Sequence, residues 1–243
     1  EATGLMPGIP VVAGLHDVTA SAVGLGHIAN GDLTIAAGTF SINEVFSARP
    51  QPDKRWATRN GLGPGQWLNM SISPASSSNI EWFVGQFASL VEATTGELLE
   101  AWEDDLKNAF ADDSRLVYHP FLFGSPYDAP ASAGFFGLQG WHRRAHLLRA
   151  ILEGVVFNHR IHVDALAQAF PVLGCRLTGG GAHSPLVGAL FANTLDRPIG
   201  IAKTREAAAL GAALCAGVGV GRYANLADAI RHCQLAATFY PDA

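Results

Sequence analysis

Thr178-Gly179-Gly180-Gly181-Ala182-His183-Ser184 is the stretch of this sequence that decides the expected fold. An apolar run over residues 172–177 leads into it, and a helical pattern over Pro185–Leu195 follows it. Glycines at a strand-to-helix turn let the backbone come close to a flat or charged ligand, most often a nucleotide. Short glycine motifs also arise by chance, so the glycines alone indicate a nucleotide site and a flexible turn about equally well.

The last third of the chain alternates between short apolar runs and helical patterns. It predicts strands over residues 175–177 and 198–202, and helices over Pro185–Leu195 and residues 206–218. Such alternation is typical of α/β proteins, in which helices cover a sheet.

The first two thirds of the chain add further predicted elements. Apolar runs predict strands, and periodic patterns predict helices. The strands are predicted over residues 9–14, 33–37, 41–47, 67–72 and 135–138, the helices over 19–26, 80–91, 97–110 and 141–169 (the last with one break), and loops over 53–65 and 118–133.

Composition limits the class of protein. The 243 residues suffice for one large domain or two small ones, and 49% apolar with 15% charged residues suits a well-buried α/β domain. A net charge of −5 argues against a general nucleic-acid-binding protein. No run resembles a signal peptide or a membrane span, which predicts a soluble protein. Cys175, Cys215 and Cys233 are odd in number and form no metal motif, which favours free thiols in the cytoplasm.

Four segments, in chain order, carry a resemblance to a known family. They are Gly8-Ile9-Pro10-Val11 with Gly14-Leu15-His16-Asp17; Gly38-Thr39-Phe40-Ser41; Ala133-Gly134-Phe135-Phe136-Gly137-Leu138 with His146-Leu147 and Ala150-Ile151-Leu152-Glu153; and Leu177 to Ser184 with Ala192 and Ala209-Leu210-Gly211-Ala212-Ala213. Each motif is weak alone, but together they resemble the C-terminal domain of the FGGY family of carbohydrate kinases over nearly the whole chain.

The resemblance implies a fold and a domain organisation. The fold is α/β, of the actin-like ATPase (ribonuclease H-like) kind, with a mixed sheet flanked by helices. Residues 1–243 are expected to form the C-terminal nucleotide-binding domain of a two-domain sugar kinase, with residues 1–8 as a residual interdomain linker. The family's N-terminal domain carries a phosphate loop, a magnesium-binding carboxylate and most sugar contacts. No Asp-x-Gly-Thr phosphate loop occurs in this sequence.

Two cofactors follow from the resemblance, namely ATP and Mg²⁺, with the metal ligands mainly in the missing N-terminal domain. This chain would then supply the catalytic base and most of the ATP site. The isolated chain is expected to fold but to be inactive as a kinase.

Asp17 is the candidate catalytic residue because the resemblance places the family's general base there. It follows a predicted strand, and ligands of open α/β sheets bind beyond strand ends. Phosphoryl transfer needs a group that takes the proton of the attacking hydroxyl, and a carboxylate can do so. The alternative role of Asp17 is that of an N-cap for the following helix. His16 is a candidate substrate contact, with orientation or packing as its alternative.

Two segments are candidates for contacting phosphates. Backbone amides at Gly38 and Thr39, with the threonine hydroxyl, suit phosphate oxygens, although a plain β-turn explains them too. Ser77 and Glu81 align with the helix start that other family members present to the nucleotide. Some members have glycine and glutamine at these two positions, and a serine-rich helix cap is the alternative.

The glycine turn is the candidate adenosine site. Gly180, Gly181 and Ala182 would form the surface beneath adenine and ribose, where larger side chains would collide with the ring. Ser184 would cap the next helix or reach the nucleotide. Gly211 interrupts a helical pattern, and close helix packing beside the nucleotide cleft would explain it.

Histidines and tryptophans give weaker signals. His142 with His146, and His159 with His162, have helical spacing, but no third ligand accompanies them. We therefore expect surface or helix-packing roles and no metal site. The scattered tryptophans are assigned to core and loop packing.

These observations lead to one functional hypothesis and two alternatives. The hypothesis is ATP-dependent phosphorylation of a sugar or polyol hydroxyl, with a pentulose-type substrate, because Ser73 to Phe83 resembles the L-xylulose or 3-keto-L-gulonate branch. Erythritol kinases are the near competitor. The alternatives are a non-catalytic actin-like nucleotide-binding module and a sugar-sensing domain. Expected partners are the small-molecule substrate and the N-terminal domain, without nucleic acid or membrane; homo-oligomerisation stays open.

Overall fold

The computed structural model describes residues 4–87, 97, 100–127 and 130–242. Its strands are β1 (Asp32–Ala37), β2 (Ser41–Ser47), β3 (Ala57–Asn60), β4 (Trp67–Ser73), β5 (Val117–His119), β6 (Gly134–Phe136), β7 (Gly174–Thr178), β8 (Ile199–Ala202) and β9 (Leu235–Phe239). Its helices are α1 (Asp17–Leu25), α2 (Ser77–Phe87), α3 (Glu103–Ala111), α4 (Arg144–Ala169), α5 (Pro185–Leu195), α6 (Ala207–Gly219) and α7 (Leu226–Ala229), followed by a 3₁₀ turn (Ile230–His232).

Seven strands form one mixed sheet in the order β3-β4-β2-β1-β7-β8-β9, and β5 pairs with β6 in a small second sheet. Strand β7 is parallel to both β1 and β8, whereas the remaining neighbours in the large sheet are antiparallel. Because β1 and β7 run in the same direction, the turns that follow them leave the sheet at one edge. We call this edge the carboxyl edge.

Helices cover both faces of the large sheet. On one face, strand residues such as Ile35 and Val45 are fully buried in a core with side chains of α2, α3, α4 and α5. Successive strand residues point to opposite faces, so Phe46 packs on the other face, against Ala22 of α1. Leu25 at the end of α1 contacts Ala207 at the start of α6, which covers the same face. The predicted α/β fold with a mixed, helix-flanked sheet is therefore confirmed.

The contact between α1 and α6 is so close that it requires glycine on both helices. A Cβ atom added to Gly211 would overlap the carbonyl oxygen of Ala20, and one added to Gly24 would overlap the carbonyl oxygen of Ala207. Close helix packing is thus the reason for the helical Gly211, and its partner is α1 rather than the nucleotide cleft.

Replacing Gly211 with alanine is expected to lower the free energy of unfolding by about 1–3 kcal/mol, because α1 and α6 must separate. Gly85, a glycine of α2 with no atom within 4 Å of an added Cβ, provides the matched control. Gly85→Ala should raise stability by up to ~1 kcal/mol, the difference in helix propensity. Urea unfolding of both variants measures the two effects, and changes of the same sign would contradict this account of the crossing.

Most predicted elements are confirmed. These are β1, β2, β4, β6, β7 and β8 among the strands and α1, α2, α4, α5 and α6 among the helices, with shifted ends. The helix predicted over residues 97–110 is present as α3, and α4 runs without the predicted break. Residues 88–91 and 98–99 of predicted helices, 128–129 of a predicted loop and 1–3 of the predicted linker lie outside the described residues.

The strand predicted over residues 9–14 is wrong. The segment has no regular structure, and Val11 is 96% exposed. An apolar run becomes a strand only where a neighbouring strand offers hydrogen-bond partners, and Pro10 also removes one donor.

Three strands were missed. The predicted loop over residues 53–65 contains β3, the predicted loop over 118–133 begins inside β5, and β9 was not predicted. Strands β3 and β9 are the two edges of the large sheet. Strand β3 (Ala-Thr-Arg-Asn) is short and polar, so it lacks the apolar pattern on which strand prediction depends. Strand β9 (Leu-Ala-Ala-Thr-Phe) is mostly apolar, and the sequence analysis missed this signal.

Within the part of the chain that the structure describes, no helix combines the length and the apolar character needed to cross a bilayer.

Candidate active site

A cleft of about 240 Å³ opens at the carboxyl edge of the sheet. Its lining comes from the turns after β1 and β7, from the first turn of α2, and from α4 and α5. Crevices beyond the carboxyl ends of parallel strands are the usual ligand sites of open α/β sheets. The position of this cleft follows from the strand order.

The glycine turn after β7 divides into two parts with different roles. Gly179 has φ = 121°, and a Cβ there would overlap the Ala37 carbonyl group at the end of β1. An added Cβ at Gly180 would meet no atom within 4 Å, and one at Gly181 would touch only Val187, at 3.8 Å. Gly179 therefore allows the two strand ends to meet, whereas Gly180 and Gly181 leave open space in the cleft.

The start of α2 is hydrogen-bonded to the end of β1. The Ser77 hydroxyl donates to the Ala37 carbonyl oxygen at 2.9 Å, and the Ser77 amide donates to the Gly38 carbonyl oxygen at 2.9 Å. The hydroxyl thus bonds a strand carbonyl, so the interpretation of Ser77 as a helix-capping side chain is wrong. Thr39 is exposed at the turn, and Glu81 lies one helical turn after Ser77.

One wall of the cleft is apolar. It consists of Leu152, Val155 and Val156 of α4 with Val187 and Phe191 of α5. A planar apolar ring fits between such a wall and a backbone without side chains, and polar groups at the strand ends can then hold its charged substituents.

Six of the eight residues predicted to contact the nucleotide line this cleft: Gly38, Thr39, Ser77, Glu81, Gly180 and Gly181. The other two lie beside it. Ala182 is 2% exposed and belongs to the core, and Ser184 is the N-cap residue of α5 without a side-chain capping bond.

Helix α1, which begins at Asp17, lies on the other face of the sheet. After α1 ends, the amides of Ile28 and Ala29 donate to the Asp32 carboxylate at the amino end of β1. The segment after α1 is therefore fixed to the start of β1. The nine residues of the helix span about 14 Å.

Asp17 is accessible at this position. Its side chain is 82% exposed, and its Oδ1 atom lies 3.4 Å from Nδ1 of His16. Asp17 is the first residue of α1 and His16 is the N-cap residue, so the alternative role of Asp17 as N-cap is wrong. The carboxylate accepts a hydrogen bond from the neighbouring Val18 amide at 2.8 Å. The carboxylate therefore faces solvent.

Glu44 is a residue of this region that the sequence analysis missed. It is 1% exposed, it faces α1 from the central strand β2, and neither carboxylate oxygen has a hydrogen-bond partner among the described residues. Burial raises the pKa of Glu44 to about 8; the Arg59 charge opposes this rise, and the Asp17 carboxylate adds to it. In the predicted strand, Glu44 is two residues from both Ile42 and Phe46, so all three side chains lie on one face. This spacing is the sequence signal that could have indicated the burial of Glu44.

The four histidines of the helix predicted over residues 141–169 contact other residues of the protein; His142 precedes α4, and the other three lie within it. His142 contacts Ser114, His146 contacts Asp112, and His159 and His162 are buried between α4 and the sheet. Of the two roles predicted for the last pair, surface or helix packing, the burial supports helix packing. The residues of α4 that precede them, including Ile151 and Val155, continue on the same face, which was the available signal.

The cleft has a shape that suits a nucleotide, whereas the described residues of this chain do not form a magnesium site. Gly180, Gly181 and Gly38 leave open space that a Cβ atom would fill, which suits a planar ring and phosphates. Among the described residues no three histidine, cysteine, aspartate or glutamate side chains gather where a metal could bind. Mg²⁺ takes several oxygen ligands, so these residues alone do not make a magnesium site.

The sheet order and this cleft define an actin-like ATPase domain, the class to which the structural relatives of the chain belong. A family model described as the FGGY family of carbohydrate kinases, C-terminal domain, matches residues 33–220. The chain belongs to the FGGY family of carbohydrate kinases.

Individual relatives agree with this assignment. The chain is 35% identical to the L-xylulose/3-keto-L-gulonate kinase of Escherichia coli K12, over 94% of this chain and 45% of that protein. It is 29% identical to the erythritol kinase of Brucella abortus, over 100% of this chain and 49% of that protein. The crystal structure of xylulose kinase from Rhodospirillum rubrum superposes with a TM-score of 0.81 at 29% identity, covering 99% of this chain and 49% of that one. The chain thus spans about half the length of these relatives.

Proposed function

We propose that this chain is the C-terminal, nucleotide-binding domain of an ATP-dependent kinase that phosphorylates a hydroxyl of a sugar or polyol. In this proposal an N-terminal domain, which carries its own phosphate loop, joins the chain through residues 1–8. That domain supplies the protein ligands of Mg²⁺ and most sugar contacts.

The observation that carries the proposal is the convergence of predicted nucleotide residues on one cleft. The glycine turn, the turn after β1 and the start of α2 are distant in sequence but line the same space. At about 240 Å³, the cleft is smaller than most small-molecule pockets, which measure ~300–1,000 Å³. A site that is completed by a second domain accounts for this size.

ATP, when bound here, supplies the phosphoryl group that is transferred. The backbone of Gly180 and Gly181 would lie against adenine and ribose, and the wall of α4 and α5 would exclude water from the ring. Gly38 and Thr39 would hold phosphate oxygens through backbone amides and the hydroxyl. Asp17 would take the proton of the attacking hydroxyl, with His16 beside it as a substrate contact.

The names of the relatives support a pentulose-type substrate. They are named L-xylulose/3-keto-L-gulonate kinase, xylulose kinase and erythritol kinase, while other relatives are named gluconokinase. The test measures ADP release by the complete protein with ATP, Mg²⁺ and each of the compounds in these names. Release that depends on one of them supports the proposal. ATP binding without sugar-dependent release would instead support a non-catalytic module.

A substitution in the glycine turn tests the nucleotide site directly. Gly181→Leu should abolish detectable ADP binding, because the leucine side chain fills the space left for the ring. Gly63→Leu places the same side chain at an exposed turn with no atom within 4 Å of the added Cβ, and should bind ADP normally. Calorimetry measures both affinities, and circular dichroism checks that both variants fold. Equal affinity in the two variants would place the site elsewhere.

The proposed location is the cytoplasm, and Cys175, Cys215 and Cys233 support it. All three are free thiols, which persist in a reducing compartment.

A further inference from the structure

We propose that His159 is a positioning residue for the phosphate end of the nucleotide, because its ring joins the turn after β1 to the start of α2. This inference rests on the proposed function. His159 itself lies beneath the cleft and touches no ligand; it acts through the two segments that it connects.

The first connection is to the strand that leaves the phosphate turn. His159 Nδ1 lies 3.0 Å from Ser41 Oγ and 2.9 Å from Asn43 Oδ1. The Asn43 amide also donates to Ser41 Oγ at 3.2 Å, which closes a triangle of polar groups. Ser41 is two residues after Thr39, so the triangle fixes the end of the turn.

The second connection is to the residue that introduces α2. His159 Nε2 lies 3.4 Å from Ser76 Oγ, and Ser76 precedes Ser77, which lines the cleft. Ser77 bonds back to Ala37 and Gly38. The His159 ring and the Ser77 hydrogen bonds therefore both connect the turn after β1 to the start of α2.

The chemistry of imidazole suits this bridge. His159 is 0% exposed, and burial lowers the pKa of His159 to about 3, so the ring is neutral. Asn43 Oδ1 can only accept, so Nδ1 carries the ring proton and Nε2 accepts the proton of the Ser76 hydroxyl. One neutral side chain thus donates to one segment and accepts from the other, which an apolar residue cannot do.

His162 provides a matched control within the same helix. It is 5% exposed, and its ring bonds Ser71 at 2.7 Å through Nδ1 and Ser73 at 3.1 Å through Nε2. Both partners belong to β4, and neither lines the cleft, although Ser73 is the register partner of Ser41. Loss of His162 should therefore affect stability to a similar extent but leave the cleft unchanged.

The experiment compares ADP and adenosine binding to the complete protein in its wild-type, His159→Asn and His162→Asn forms. Asparagine reproduces the Nδ1 side of the ring but is too short to replace Nε2. We expect His159→Asn to weaken ADP binding about tenfold, the scale of one lost buried hydrogen bond, while adenosine affinity changes less than about threefold. His162→Asn should change neither affinity. His159→Gln, whose longer side chain reaches the position of Nε2, should recover part of the ADP affinity.

An ADP-to-adenosine affinity ratio that is equal in wild type and His159→Asn would overturn the positioning role and leave the proposed function intact. A complete wild-type protein that binds neither ligand would overturn the proposed function as well. If His159→Asn does not fold, the ring ¹⁵N resonances of the complete wild-type protein decide. ADP, but not adenosine, should then shift the signals of His159 and leave those of His162 in place; unchanged His159 signals at saturating ADP would refute the inference.

Discussion

Replacing Asp17 with asparagine is expected to lower kcat of the complete kinase by about two to four orders of magnitude, the usual effect of losing a general base. Asparagine keeps the size of the side chain and most of its hydrogen bonding but cannot accept the hydroxyl proton. Affinities for sugar and ATP should change much less, because the lost interaction belongs to the transition state.

The geometry of α1 makes this substitution a sharp test. Asp17 is the first residue of the helix, and its exposed carboxylate bonds the adjacent Val18 amide. Asparagine keeps the acceptor oxygen that bonds the Val18 amide, so a purely structural role would leave kcat nearly unchanged.

The control for Asp17→Asn is Asp104→Asn. Asp104 is an exposed aspartate in the first turn of α3. This variant should keep full activity, because Asp104 is at a helix start and does not line the cleft. A near-normal kcat for Asp17→Asn would show that the general base is another residue.

Site residues could be predicted where the pattern that marks them lies within a short stretch of sequence. The turns at Gly38 and Gly180 were found because a strand and the glycine after it are neighbours in sequence. That both turns line one cleft follows from the parallel pairing of β1 with β7, which no local pattern reveals. The resemblance to the family supplied this information instead.

Residues whose role depends on a distant partner were not predicted. Glu44 is buried only because α1 covers its face of β2, and His159 is bonded to strand residues more than a hundred positions away. Conversely, the apolar segment around Val11 is exposed because no described strand lies beside it. Burial of a polar group and exposure of an apolar one are both decided by tertiary contacts.

Replacing Glu44 with glutamine is expected to raise the free energy of unfolding by about 3 kcal/mol at pH 7. Burial raises the pKa of Glu44 from 4.5 to about 8, so the folded state holds a proton that the unfolded chain releases above pH 4.5. Stability from this group is complete below pH 4.5 and is lost as the pH rises toward 8, at about 1.4 kcal/mol for each pH unit. Glutamine has the same shape, is neutral in both states and removes this loss.

The pH dependence separates this electrostatic explanation from a packing effect. Urea unfolding at pH 4.5 should give nearly equal stabilities for wild type and Glu44→Gln, and the difference should grow steadily up to pH 8. Glu81→Gln, a change at an exposed glutamate of α2, should produce no such trend. Because the Asp17 carboxylate also raises the pKa of Glu44, Asp17→Asn should reduce the gain from Glu44→Gln. A constant difference between wild type and Glu44→Gln across this range would mean that Glu44 ionises in the folded protein as readily as in the unfolded chain.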